Sequence, residues 1–121
     1  MSGKSEIYRA VSAIAYAIAK ADGGLQDDEK KAFKSIIIEE FGHDAWMAES
    51  RFDLLDDMLQ PTIEHSYNDA LSVIKSNRQS FNEELRDKSI RIMERVAEAY
   101  KGKNEMEGFI IEKFKQDLSK L

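Results

Sequence analysis

The chain is predicted to fold as an all-α, single-domain helical bundle of six or seven helices over residues 1–121. Three observations carry this. Apolar residues recur at helical spacing along almost the whole chain. No run alternates with period two for long enough to make a strand. The breaks between apolar runs fall at glycine, proline or capping residues.

Ile7, Val11, Ile14, Ile18 and Ala21 step by four and three, which lays them on one stripe of a first helix. Ala10, Ala13 and Ala17 make a second stripe of small residues, so neighbours can approach from two sides and the expected place of this helix is central. Phe33, Ile36, Ile37 and Phe41 repeat the pattern in a second helix, ended by Gly42, with Asp44 able to cap the next. Residues 45–60, "AWMAESRFDLLDDMLQ", read as helix with a break near Ser50 and a stop at Pro61. Trp46 and Met47 are assigned to the core; an exposed Trp46 would instead mark a protein contact. Glu49, Asp53, Asp56 and Asp57 read as a solvated helix face, with a partner-docking surface as the alternative. Ile63, Tyr67, Ala70 and Ile74 form the next stripe, and "SNRQS" breaks it. Ser80 with Glu83 has capping-box spacing and opens a helix to about Tyr100; Asn104 with Glu107 opens the last.

The totals narrow the function classes. A net charge of −5, with lysines scattered among acids, gives no basic face to displace counterions from a nucleic acid. The absence of cysteine removes disulfides, thiolate metal sites and cysteine nucleophiles. The longest apolar stretch, "AVSAIAYAIAKA", is about half of the roughly 20 residues a bilayer span needs. It also follows a charged start too long for a secretory signal, so a cytoplasmic protein without an integral membrane segment is expected.

The two ends of the chain resemble each other. At an offset of 99 − 21 = 78, "AKADGGLQDDE" (19–29) lies on "AEAYKGKNEME" (97–107). Ile7, Val11, Ile14, Ile18 and Ala21 then fall on Leu85, Ser89, Ile92, Val96 and Ala99. Gly24 falls on Gly102, Glu29 on Glu107, Phe33 on Ile111 and Ile36 on Phe114. The reading is an internal helix-turn-helix duplication, units about 7–41 and 85–119, with a helical insert between them.

The first unit, with its alanine-rich helix, Ala21-Asp22-Gly23 turn, Leu25 and Glu29, resembles the tellurite-resistance TerB-like family. The resemblance is specific over residues 10–41, extends to 85–118 and has no motif between them. It implies an all-helical fold with a pseudo-twofold arrangement, and Asp22 and Glu29 as candidate metal-contacting acids. The second unit departs from the family pattern, with Tyr100-Lys101 where Asp-Gly would stand.

Two readings of the turn stay open on physical grounds. In one, the glycines close a helix, Asp27 and Asp28 favour the next helix's dipole, and Glu29 reaches back to an orphan N–H. In the other, Asp22, Asp27, Asp28 and Glu29 are metal ligands. Asp22 follows a helix C-terminus, where a carboxylate opposes the dipole, and three acids return close to it across a short turn. Locally unfavourable choices mark sites. Oxygen donors alone suit weakly held Ca²⁺ or Mg²⁺. The spacing is not an EF-hand, because the twelfth position from Asp22 is Phe33, where a glutamate is required.

Glu40 and His43 have Glu-x-x-His spacing, but a di-iron bundle needs two such motifs and two more glutamates, and His65 has no partner glutamate three residues before it. His65 with Asp69 and His43 with Asp44 read as surface or capping contacts. No serine or threonine stands in a nucleophile's setting. The expected function is therefore that of a non-enzymatic, TerB-like, stress-associated protein with a weak acidic metal site. The alternative is a metal-independent helical module that binds a protein partner of unspecified identity.

Overall fold

In a computed structural model that describes residues 3–21, 27–59, 61–99 and 105–121, the first helix, α1, is Gly3–Ala21. It is followed by α2 (Asp27–Phe41), α3 (Ala45–Leu54), α4 (Ile63–Ser76), α5 (Glu83–Ala99) and α6 (Glu105–Ser119). A 3₁₀ turn, Gly42–Asp44, joins α2 to α3, and a π-helical turn, Leu55–Leu59, extends α3. The described residues contain no strand. Because both turns are themselves helical, no non-helical residue separates α2, α3 and the π turn between Asp27 and Leu59, and the continuous helical stretches number five among the described residues rather than the expected six or seven.

The expected central helix is α1, against which α3, α4, α5 and α6 all pack. Its apolar stripe Ile7, Val11, Ile14 and Ile18 is fully buried, and its small-residue faces are what let neighbours come close. Two buried serines exploit that approach. Ser12 Oγ donates to the Ala48 carbonyl on α3 at 2.7 Å, and Ser66 Oγ on α4 donates to the Ala13 carbonyl at 2.7 Å. A hydroxyl taken from water costs free energy unless it finds such a partner. On the other side, Ile92 and Val96 of α5 are as deeply buried as Ile14 and Ile18. Phe114 and Leu118 of α6 complete that side of the core.

The helix boundaries follow local chemistry, with corrections to the sequence reading. Gly42 has φ +60, the left-handed conformation that ends α2. Asp44 precedes α3 but its side chain makes no capping bond; it instead accepts the Tyr8 hydroxyl of α1 at 3.3 Å. There is no break near Ser50: α3 runs through it, and the irregularity comes later, at the π turn. Thr62, unassigned from sequence, caps α4 by accepting the His65 N–H on Oγ1 at 3.1 Å. Asn104, and the side chain of Glu107, lie outside the described residues.

The cap of α5 is Asn82, not Ser80. Asn82 Oδ1 accepts the Leu85 N–H at 2.9 Å, while Ser80 is held in the preceding turn by its own N–H to Asn77 O at 2.9 Å. Asn82→Ala is therefore expected to lower stability by about 1 kcal/mol, and Ser80→Ala by well under that. Denaturant unfolding of the two variants checks this; an equal loss, or a larger one for Ser80→Ala, would restore the serine as the cap.

Candidate functional site

The predicted acidic site straddles a helix junction. α1 ends at Ala21 and α2 begins at Asp27. Asp27, Asp28 and Glu29 thus fall in the first turn of α2, the end of the helix that carries its unpaired N–H groups. Asp22 lies outside the described residues, as do the side chains of Asp27, Asp28 and Glu29. The donor set fits a hard divalent cation in kind: every candidate is a carboxylate, and the last carbonyls of α1 are further oxygen acceptors. Among the described residues, no three acids or histidines converge in a way that could hold a metal.

The described surroundings of this junction are charged and tied together. Lys30 on α2 pairs with Asp56 on the π turn at 2.6 Å, and Lys34 pairs with Asp53 on α3 at 3.4 Å. Lys20, in the last turn of α1, donates to the Pro61 carbonyl at 2.7 Å. Tyr16 beneath it has its hydroxyl pKa raised, chiefly by burial and then by the Asp56 charge. The acidic stretch read from sequence as a solvated face is thus, at Asp53 and Asp56, one side of an α2–α3 seam of ion pairs.

Glu40 is spent elsewhere. Its carboxylate accepts Arg91 Nε and Nη2 of α5 at 2.8 Å each, and Arg95 Nη1 at 3.2 Å, while Arg95 also pairs with Glu39. Glu40 is thus committed to the two arginines of α5, while His43 is exposed on the 3₁₀ turn, and among the described residues the Glu-x-x-His pair belongs to no cluster that could hold a metal. On α4, Tyr67 donates to Asp117 of α6 at 2.6 Å; Lys113 bonds the same carboxylate at 3.1 Å and lies 5.0 Å from the Tyr67 ring. Burial and then Asp117 push the Tyr67 hydroxyl far above its usual range.

Trp46 is 58% exposed, which corrects its assignment to the core. Ala45, Ala48 and Phe52 hold the buried face of α3, and Trp46 projects one helical step away from it. Met47, by contrast, is partly buried against the core, as expected.

A second feature had no sequence signal. A cleft of about 550 Å³ opens between α1, the end of α3 with its π turn, and α4. Ala10, Ala13 and Ala70 form its floor and Leu55, Leu59 and Val73 its apolar walls. Glu6, Arg9, Arg51, His65 and Asp69 bring charge or hydrogen-bonding groups to it. Its members come from two stretches, residues 6–13 and 51–73, separated by nearly 40 residues, so no local spacing could announce it. His65 and Asp69, read from sequence as a surface pair, are both exposed along its α4 side.

Compared with protein families, residues 8–119 match the model of the tellurite resistance protein TerB. The chain belongs to the TerB family. Comparison with curated proteins and with solved structures found no match. The TerB match takes in the acidic junction, and it also runs through residues 42–84, where the sequence reading found no family motif. α3 and α4 are thus part of the TerB domain. No helix among the described residues of this TerB-family chain is long and apolar enough to cross a membrane.

Proposed function

We infer that this TerB-family chain is a single-domain, non-enzymatic, cytoplasmic protein of a stress response. In this reading it holds Ca²⁺ or Mg²⁺ weakly at Asp22, with help from Asp27, Asp28 and Glu29. The observation that carries it is the family match across the junction, whose acids flank a helix C-terminus on one side and open a helix on the other. In the same reading, residues 7–41 and 85–119 are duplicated units, of which only the first kept the acid and became the functional half. The burial of Ile14, Ile18, Ile92 and Val96 agrees with such a pair.

Two to four carboxylates on a turn give an expected dissociation constant on the order of 10⁻⁴–10⁻³ M. Calorimetry with millimolar calcium or magnesium should detect it, and Glu29→Ala should abolish the heat while Glu107→Ala preserves it. Heat that survives both substitutions would make Glu29 a cap only. No heat beyond dilution, with no metal-dependent shift in Tm, would remove the metal site. The second reading, a metal-independent interaction module, would then stand, and it has its own support in the exposed Trp46.

A further inference from the structure

We propose that the cleft between α1, α3 and α4 binds a small amphipathic monocarboxylate, its apolar body against the alanine floor and its head on Arg51. The volume of about 550 Å³ lies within the range of small-molecule sites, which combine apolar walls with a few placed polar groups. α1 and α4 present Ala10, Ala13 and Ala70 to the cleft, and the Ser66 bond to the Ala13 carbonyl holds the two helices at close approach. The π turn places Leu55 and Leu59 along one wall; such turns frequently mark functional sites. Leu59 is 57% exposed, an apolar side chain left in water beside the opening.

The charges select the ligand's sign. Arg9 is matched by Glu6 at 3.1 Å. Arg51 is half-buried beside the apolar wall and has no hydrogen-bond or ion-pair partner among the described residues. A partly desolvated guanidinium gains most from an oxyanion, and its planar fork fits a carboxylate with two parallel bonds. Asp69, on α4, lines the same cleft and is exposed. With Glu6 and Asp69 on the same cleft, a doubly charged phosphate is disfavoured relative to a single carboxylate.

Octanoate, octanol and octylammonium are matched probes with one chain and three charges. Nitrogen-15 NMR of the whole chain should show octanoate shifting the amides of Ala10, Ala13 and Ala70, with Kd on the order of 1 mM for so small a ligand. Octanol should bind about tenfold more weakly and octylammonium not at all. Arg51→Gln should weaken octanoate about tenfold while leaving octanol unchanged, and Ala13→Leu should fill the floor and remove both; circular dichroism checks that each variant keeps its helices. The proposal is overturned if octanol or octylammonium binds as well as octanoate, or if Arg51→Gln has no effect. It is also overturned if the same amides shift with protein concentration alone, which would make the cleft a contact between two copies of the chain.

Discussion

Phe52→Ala is expected to lower the unfolding free energy by about 3–5 kcal/mol, the usual range for removing a buried phenyl ring. Phe52 is fully buried and joins three helices at one point. Its ring stacks on Phe33 of α2 with centroids 4.0 Å apart and meets the Tyr16 ring of α1 edge-on at 6.0 Å. Such aromatic pairs add roughly 0.5–1.5 kcal/mol each beyond the area they bury. The loss is large against a total stability of about 5–15 kcal/mol for a domain of this kind. Phe52→Leu should cost much less, because it keeps most of the volume and loses mainly the ring geometry. A double-mutant cycle with Phe33→Leu isolates the stacked pair, and its coupling energy should be clearly different from zero. A Phe52→Ala loss below about 1.5 kcal/mol in denaturant unfolding, or strict additivity with Phe33, would mean that the three helices do not meet through these rings.

The parts of this core that sequence reveals are those decided within one helix. The α1 stripe was legible because burial follows a 3.6-residue period and four of its members are large and apolar. Phe33 and Phe52 could both be placed in helices, but not against each other, since nothing local encodes which faces of α2 and α3 meet. The cap of α5 shows the limit at finer scale. Ser80 and Asn82 are both competent caps two residues apart, and their side-chain chemistry does not choose between them. The choice is tertiary: the turn bond from Phe81 N–H to Arg78 O at 3.1 Å, and the burial of Phe81 in the core, force the helix to start after it.

Trp46 illustrates the opposite error. A large aromatic near a helix start is most often core, yet the buried face of α3 was already filled at Ala45, Ala48 and Phe52. Spacing from those three residues points Trp46 outward, so the signal was present but outweighed by residue type. The expectation of an acidic site at Asp22 rests on a local argument, a carboxylate placed after a helix C-terminus, and Asp22 itself lies outside the described residues. The cleft was not legible, because Arg9, Arg51 and His65 are ordinary surface residues on their own helices and become neighbours only through packing. The same is true of the Glu40 clamp, whose two arginines lie more than 50 residues further along the chain.

Glu40→Gln is expected to cost about 1–2 kcal/mol at neutral pH and to flatten the loss of stability in acid. The Glu40 side chain is only 9% exposed and receives donors from both Arg91 and Arg95, a charge-assisted arrangement stronger than neutral hydrogen bonds. The arginines remain partly in water, which keeps the estimate well below that for a fully buried pair. The hydrogen bonds from Arg91 hold the Glu40 pKa below its ordinary value of 4.5, against the opposing push of burial. A carboxyl depressed on folding contributes stability that is complete above its unfolded pKa and disappears as pH falls through the folded one. Wild-type stability should therefore decline below about pH 4.5, and the difference from Glu40→Gln should shrink in the same window. Asp117 keeps some acid sensitivity in the variant: burial pushes its carboxyl up, but the bonds from Tyr67 and Lys113 outweigh this and hold it low. Unfolding curves across the acid range test the assignment directly. A Glu40→Gln variant whose stability falls with acid as steeply as wild type would show that the α2–α5 clamp does not hold the helices together in solution.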